Sequence, residues 1–205
     1  MLIHLRQQDN LPKTYRGKKV GITINREEAI GHIVSNELQS LSKEVREGFL
    51  LDWWSIDQSD PEFATLPQDL QNEILGSEEP VHDAMSARYE PLINEALKKK
   101  FLGVRNEYLA TAVSKILKRD CNVEGLQEEL LPCPCCQYKT LTSRGEYEIC
   151  TVCYWEDDGS VDSTKYSSAN HMPLTEAQEN FKQYGTIKEV FLEKIKDDRM
   201  EKYSK

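Results

Sequence analysis

The chain of 205 residues is 39% hydrophobic and 30% charged, enough apolar material for a real core and too much for general disorder. Its net charge of −9 speaks against a protein that tracks phosphates along a nucleic acid, which needs a basic face. The longest apolar stretch, Phe49 to Ile56, is short and broken by Asp52, so no segment is expected to span a bilayer, and Met1 to Asn10 carries Arg6 and Asp9 in place of a secretory apolar run, so the expected location is the cytoplasm.

In chain order, Lys18 to Ile24 has the β-branched run Val20, Ile22, Ile24 of a short strand, weakened by Gly21. Asn25 with Glu28 forms a capping-box pattern that opens a helix, and Ala29, Ile30, Ile33, Val34, Leu38 and Leu41 recur on one face of it. Ser42 can cap a second helix through Val45, Phe49, Leu50 and Trp53. Asp60-Pro61 reads as an N-cap with a first-turn proline, and Pro67 to Leu75 as a short helix closed by Gly76. Two more helices follow, Pro91 to Leu102 stopped by Gly103, and Arg105 to Lys118. Asp120 to Leu131 loses the amphipathic pattern, so the boundary of a helical, acidic domain (1–131) is placed there, followed by a smaller unit (132–205). In that unit Thr175-Glu176-Ala177-Gln178 is read as a capping box for a helix ended by Gly185, and Ile187 to about Arg199 as a last helix burying Val190, Phe191 and Ile195. No internal repeat or low-complexity tract is expected. The predicted fold class is mainly α, with a small zinc-ribbon-like β-hairpin module carrying C-terminal helices.

Five of the six cysteines lie between Cys133 and Cys153. Without an export signal such clustering favours metal ligation over a disulfide framework. Cys133 with Cys136, and Cys150 with Cys153, form two C-x-x-C knuckles whose spacing suits tetrahedral zinc, with Tyr138–Thr142 and Glu146–Ile149 as the strands of a hairpin turning at Ser143-Arg144-Gly145. Four thiolates leave no open position for substrate, so the expected zinc is structural. Cys135 is read as a bystander and Cys121 as a small core residue. Glu156, Asp157, Asp158 and His171 are weighed as a second cation or acid/base site, against the preferred reading of a tight turn with Trp155 packed on the knuckle and His171 bonded to a carboxylate.

The run from Cys133 to Gly159 (CPCCQYKTLTSRGEYEICTVCYWEDDG), followed by Ala169-Asn170-His171 and by Leu174 to Gly185 (LTEAQENFKQYG), resembles the bacterial cysteine-rich CPCC domain over about Leu131 to Gly185. Gln137 departs from the glycine common in such knuckles. The resemblance implies a zinc-ribbon-like bacterial domain of unassigned function, met among proteins associated with bacterial toxin systems, and it brings no catalytic mechanism.

The other histidines, His4, His32 and His82, are scattered, and no nucleophile triad, phosphate loop or HExxH pattern is present, so no enzyme is expected. Between Phe49 and Leu97 eleven acidic residues face the single basic Arg88. Such a segment can steer a basic partner, and nucleases are basic where they hold nucleic acid. Joined to the resemblance, this leads to a bacterial immunity or antitoxin protein that neutralises a basic cognate toxin through a subset of Asp57, Asp60, Glu62, Asp69, Glu73, Glu78, Glu79 and Asp83. A merely solvated acidic surface, a zinc-ribbon regulatory adaptor and a nucleic-acid-associated protein are the competing expectations; for the last, Cys133 to Gly159 offers only Lys139 and Arg144.

Overall fold

Residues 21–205 are described in the computed structural model; Lys18 to Val20 of the expected first strand, and His4, lie outside the described residues. Strand β1 (Ile22–Asn25) runs parallel to β2 (Cys121–Glu124), with Ile24 opposite Val123 and both buried. A parallel pair needs a long crossover, and here the whole set of N-terminal helices supplies it. Strand β2 lies in the stretch read as patternless, because four residues with one buried side chain are too few to register an alternation.

Helix α1 (Arg26–Ser40) starts where expected: the Asn25 side chain accepts from the Glu28 amide at 2.8 Å, and Ala29, Ile33, Val34 and Leu38 are buried. Helix α2 (Lys43–Trp53) is capped by Ser42. Asp60-Pro61 does not open a helix. The Asp60 carboxylate instead accepts the Asp57 amide at 2.9 Å within a turn, and only a single 3₁₀ turn, Phe63–Thr65, follows. Helix α3 is Gln68–Gly76; α4 is Glu90–Lys99, shorter than expected because Lys100 to Gly103 turn back on themselves, with Gly103 at φ +66°. Helix α5 (Asn106–Leu117) ends on Lys118 in the left-handed region. Helix α1 packs on α4 and α5, and α2 on α4, so Leu92, Ile93, Leu97, Leu109 and Val113 are closed off from water.

Arg26, the first residue of α1, is buried. Its guanidinium donates to the carbonyls of Phe101 (3.0 Å) and Val104 (2.5 Å) and pairs with Glu128 at 2.6 Å. Glu128 in turn accepts the Gly103 amide. One cation thus satisfies the carbonyls of the α4–α5 turn and fastens the strand-exit loop to it, so the buried charge is both paired and hydrogen-bonded.

The chain after β2 forms small ladders: β3 (Leu131–Pro132) with β4 (Lys139–Leu141), and β5 (Tyr166–Ser167) with β6 (Met172–Pro173). Helix α6 (Leu174–Tyr184) starts ahead of the expected capping box: Thr175 lies inside it, its amide going to the Ser163 carbonyl, because extended Pro173 and buried Leu174 set the start. Gly185, at φ +79°, ends it as expected. The last helix does not form as one piece. A 3₁₀ segment, Glu189–Lys194, is separated from α7 (Arg199–Lys202) by extended Ile195, and Val190 is exposed, while Ile187 takes the buried place. Tertiary bonds override the local pattern here: Arg199 spends its guanidinium on the carbonyls of Val152, Lys196 and Gly185. The tail also reaches both halves, through Arg105 amide to Lys202 carbonyl, Lys139 amide to Ser204 carbonyl, and Tyr108 hydroxyl to Asp198. Among the described residues no helix is long and apolar enough to cross a membrane.

Tyr89 is fully buried with Trp54 edge-on to it, and its hydroxyl donates to Glu73 at 2.6 Å while Arg88 pairs with the same carboxylate. Burial pushes the Glu73 carboxyl up, but the Tyr89 and Arg88 bonds outweigh it and hold the group below its ordinary 4.5. A carboxylate depressed in the folded state stabilises fully above the unfolded value and loses that contribution as pH falls through the folded one. Glu73→Gln should therefore lower the unfolding free energy by about 2 kcal/mol at pH 7. The gap to wild type should narrow below pH 4.5, as read by urea unfolding at both pH values.

Candidate metal centre

The two C-x-x-C knuckles repeat one backbone geometry. In the first, the Gln137 amide donates to the Cys133 carbonyl and the Cys133 amide to the Tyr138 carbonyl, both at 2.9 Å. In the second, the Tyr154 amide donates to the Cys150 carbonyl at 2.9 Å and the Cys150 amide to the Trp155 carbonyl at 2.8 Å. Gln137 and Tyr154 both take the left-handed region, φ +67° and +71°, so the conformation favoured by glycine is imposed on two side-chain-bearing residues. The Gln137 amide group also bonds the Cys133 and Pro134 carbonyls. This six-residue repeat is too short to stand out as one in the sequence.

Each knuckle is therefore its own turn, and that corrects the expected hairpin. Lys139–Leu141 is a strand as predicted, but it pairs with Leu131–Pro132 across the first knuckle, and Ile149 bridges Glu156 across the second. Glu146–Ile149 does not pair with Tyr138–Thr142; the connection is held by side chains, with the Glu148 carboxylate accepting the Thr142 amide and hydroxyl.

The sulfurs of Cys133, Cys136, Cys150 and Cys153 lie within 4.8 Å of one another, and all four residues are buried. The Cys133–Cys153 and Cys136–Cys150 separations are both 3.6 Å, too long for a disulfide, whose bond is about 2.05 Å. A tetrahedron of thiolates with metal–sulfur bonds of about 2.3 Å has edges of about 3.8 Å, so the donor set fits a cation at its centre. Without one, the four groups cannot all ionise. Burial and the other cysteines push the Cys153 thiol far up, hydrogen bonding to Cys133 and Cys150 pushes Cys136 up, and bonds from Cys133, Cys136 and Cys153, with Thr140 at 3.1 Å, push Cys150 down. A divalent cation removes that conflict. Cys135 is buried but outside the converging set, and Cys121 is half-buried on β2.

The elements around the cluster hold the knuckles by backbone contacts: Gln178 of α6 donates to the Pro134 carbonyl, the Ile187 amide to the Cys153 carbonyl, and Arg199 to the Val152 carbonyl. The contacts of Thr140, Gln178 and Arg199 with the knuckles are not legible in the sequence, since each acts on a residue distant in the chain and no spacing marks it.

Glu156, Asp157, Asp158 and His171 are not brought together as a ligand set; among the described residues the four cysteines are the one group that converges. Asp157 is buried and accepts from Arg144 (2.7 Å) and the Gly145 amide (2.8 Å). Gly145 and Gly159 face each other so closely that a Cβ on Gly159 would lie 3.0 Å from the Gly145 Cα. Asn170 accepts the Glu156 amide and donates to the Glu156 carbonyl, standing in for a strand partner. Trp155 is buried against the knuckle as expected, whereas His171 is exposed, with no carboxylate bond among the described residues, at a left-handed turn between β5 and β6.

The acidic residues expected to bind a partner are scattered over several tasks. Glu62 pairs with Lys99, Asp69 and Glu73 with Arg88, and Asp83 with Lys43. Asp57 accepts the Ser59 amide and hydroxyl, and Asp60 accepts the Asp57 amide. Glu78 and Glu79 are exposed and make no ion pair among the described residues.

Protein purified without added metal should carry one transition-metal ion per chain by elemental analysis. Cys136→Ser and Cys150→Ser should each lose it and unprotect the amides of 132–185 in hydrogen exchange, while Cys135→Ser should retain the wild-type content. Chelation should have the same effect as the ligand substitutions, because metal binding is folding free energy for a module with two-residue ladders.

No curated protein and no solved structure matches this chain. Residues 131–202 match the family model described as cysteine-rich CPCC, so the matched segment runs from β3 through both knuckles and takes in the tail arginine, Arg199, that is bonded to the second of them.

Proposed function

We propose that this chain is a bacterial immunity or antitoxin protein that acts by binding, not catalysis, and neutralises a basic cognate toxin such as a nuclease, with zinc as the structural ion of its cysteine cluster. The observation that carries the reading is a mixed surface on the helical part. Leu51, Val81 and Met85 are exposed, and the loop 80–84 lies against Leu51. Glu47 and Asp83 line the same recess as Leu51, and Asp52, Glu78 and Glu79, close to Leu51 and Val81 in the chain, are exposed with no ion-pair partner among the described residues. Interfaces join an apolar centre to a charged rim, and the rim sets the approach of an oppositely charged partner. The resemblance of 131–185 to a domain met among toxin-system proteins supports the same reading. A closed four-sulfur site suits zinc or iron; zinc fits a purely structural role, and the purified protein should be colourless.

Capture from the native bacterium followed by mass spectrometry identifies the partner. With that partner, association should slow as salt rises, since exposed charges are screened over about 8 Å at physiological ionic strength. Glu78→Lys with Glu79→Lys should slow association and weaken protection of cells expressing the toxin, whereas Glu193→Lys with Asp197→Lys should leave both close to wild type. A rate indifferent to salt, or full protection by the first variant, removes the acidic rim from the mechanism.

A further inference from the structure

The face opposite in sign to the acidic rim lies where the tail, the cysteine module and the helical part meet. A cleft of about 550 Å³ there is lined by Lys99, Lys100, Lys194, Lys196, Arg199 and Lys202, against only two carboxylates, Glu37 and Glu148. Its size falls in the range of small-molecule sites. Glu148 is already committed to Thr142, Lys99 to Glu62, and Arg199 to backbone carbonyls. Lys202 has Asp198 at 3.8 Å. Lys100, Lys194 and Lys196 form no ion pair among the described residues; Lys100 lies over the Phe49 ring, and Lys194 over Tyr154 and Phe191, which stack at 4.4 Å.

These cations crowd one another. Burial and then the charges of Lys196 and Lys202 hold the Lys100 ammonium below its ordinary value against the pull of Glu37, and burial, with Lys196, does the same to Lys202 against the pull of Asp198 and Glu37. Like charges gathered in a recess cost free energy. A divalent cation held by four thiolates carries a net charge of about −2 and adds a counter-charge next to Cys150 for the cleft as a whole, yet Lys100, Lys194 and Lys196 still have no carboxylate partner among the described residues.

We infer that this cleft is an anion-binding site for a small molecule bearing two or more phosphate groups, such as a nucleoside triphosphate, held by Lys100, Lys194, Lys196 and Lys202. Three ammonium groups without an ion-pair partner in one cleft suit a ligand with several negative charges. Tyr154, which lines the cleft beside Lys194 and has Phe191 stacked behind it, offers an apolar wall for the remainder of such a ligand. A long polyanion is disfavoured, because the chain as a whole is at −9 and would repel it beyond the cleft. The site is independent of the toxin reading.

The test is calorimetric titration of the metal-loaded full chain with ATP and with inorganic tripolyphosphate, with metal content measured again afterwards. Both should bind, more weakly as salt rises. Lys100→Glu and Lys196→Glu should each weaken binding by about tenfold or more, given that charge-assisted bonds are worth about 1.5–3 kcal/mol. Lys115→Glu, the same charge change on α5 outside the cleft, should bind as wild type. Lys196→Gln, at an exposed position, keeps the test intact if a charge reversal unfolds the protein, and should also bind more weakly. Absence of binding, equal weakening by Lys115→Glu, heat that accompanies loss of the metal, or binding of a single-stranded oligonucleotide without binding of tripolyphosphate would each overturn the assignment.

Discussion

Four buried sulfurs within 4.8 Å of one another form a donor set whose spacing fits a cation at its centre. Their thiolates repel, their thiols satisfy one another poorly, and the strands beside them are two or three residues long. The buried residues Leu141, Val152, Trp155, Met172 and Ile187 belong to the same buried cluster as the sulfurs, which is continuous with the core of the helical part. The knuckle turns, the left-handed Gln137 and Tyr154, and the tail bonds to Val152 and Cys153 all presuppose that the cluster is closed.

How much of this was legible in the sequence depended on range. The two C-x-x-C pairs, the caps at Asn25 and Ser42 and the stop at Gly185 are local signals, and the structure brings the four cysteines together and places the caps and the stop where the sequence indicates. The hairpin was misjudged because the turn that mattered was the knuckle itself, a closure between residues five apart that no alternation pattern marks. The last helix failed to form because Arg199 is bound to carbonyls at Val152 and Gly185, far outside any window over which helical periodicity is read.

Charge shows the same limit. In linear sequence, Phe49 to Leu97 holds one base against eleven acids, yet Lys43 and Lys99, on either side of that stretch, fold back to neutralise Asp83 and Glu62. Asp52, Glu78 and Glu79 remain without an ion pair among the described residues, while lysines from α4 and the tail, distant in the chain, gather in one cleft. A net charge of −9 thus conceals a local gathering of lysines.

The chain leaves the helical part after Glu128, builds the cysteine module, and comes back: Lys202 bonds Arg105 and Asp198 bonds Tyr108, while Ser204 closes on Lys139 of the module itself. An appended module on a single linker would swivel. Anchored at its entry and again at its exit, this one has its hinge removed, and a molecule contacting both parts meets them already in register. The entropy that a flexible pair would surrender on binding has been surrendered during folding.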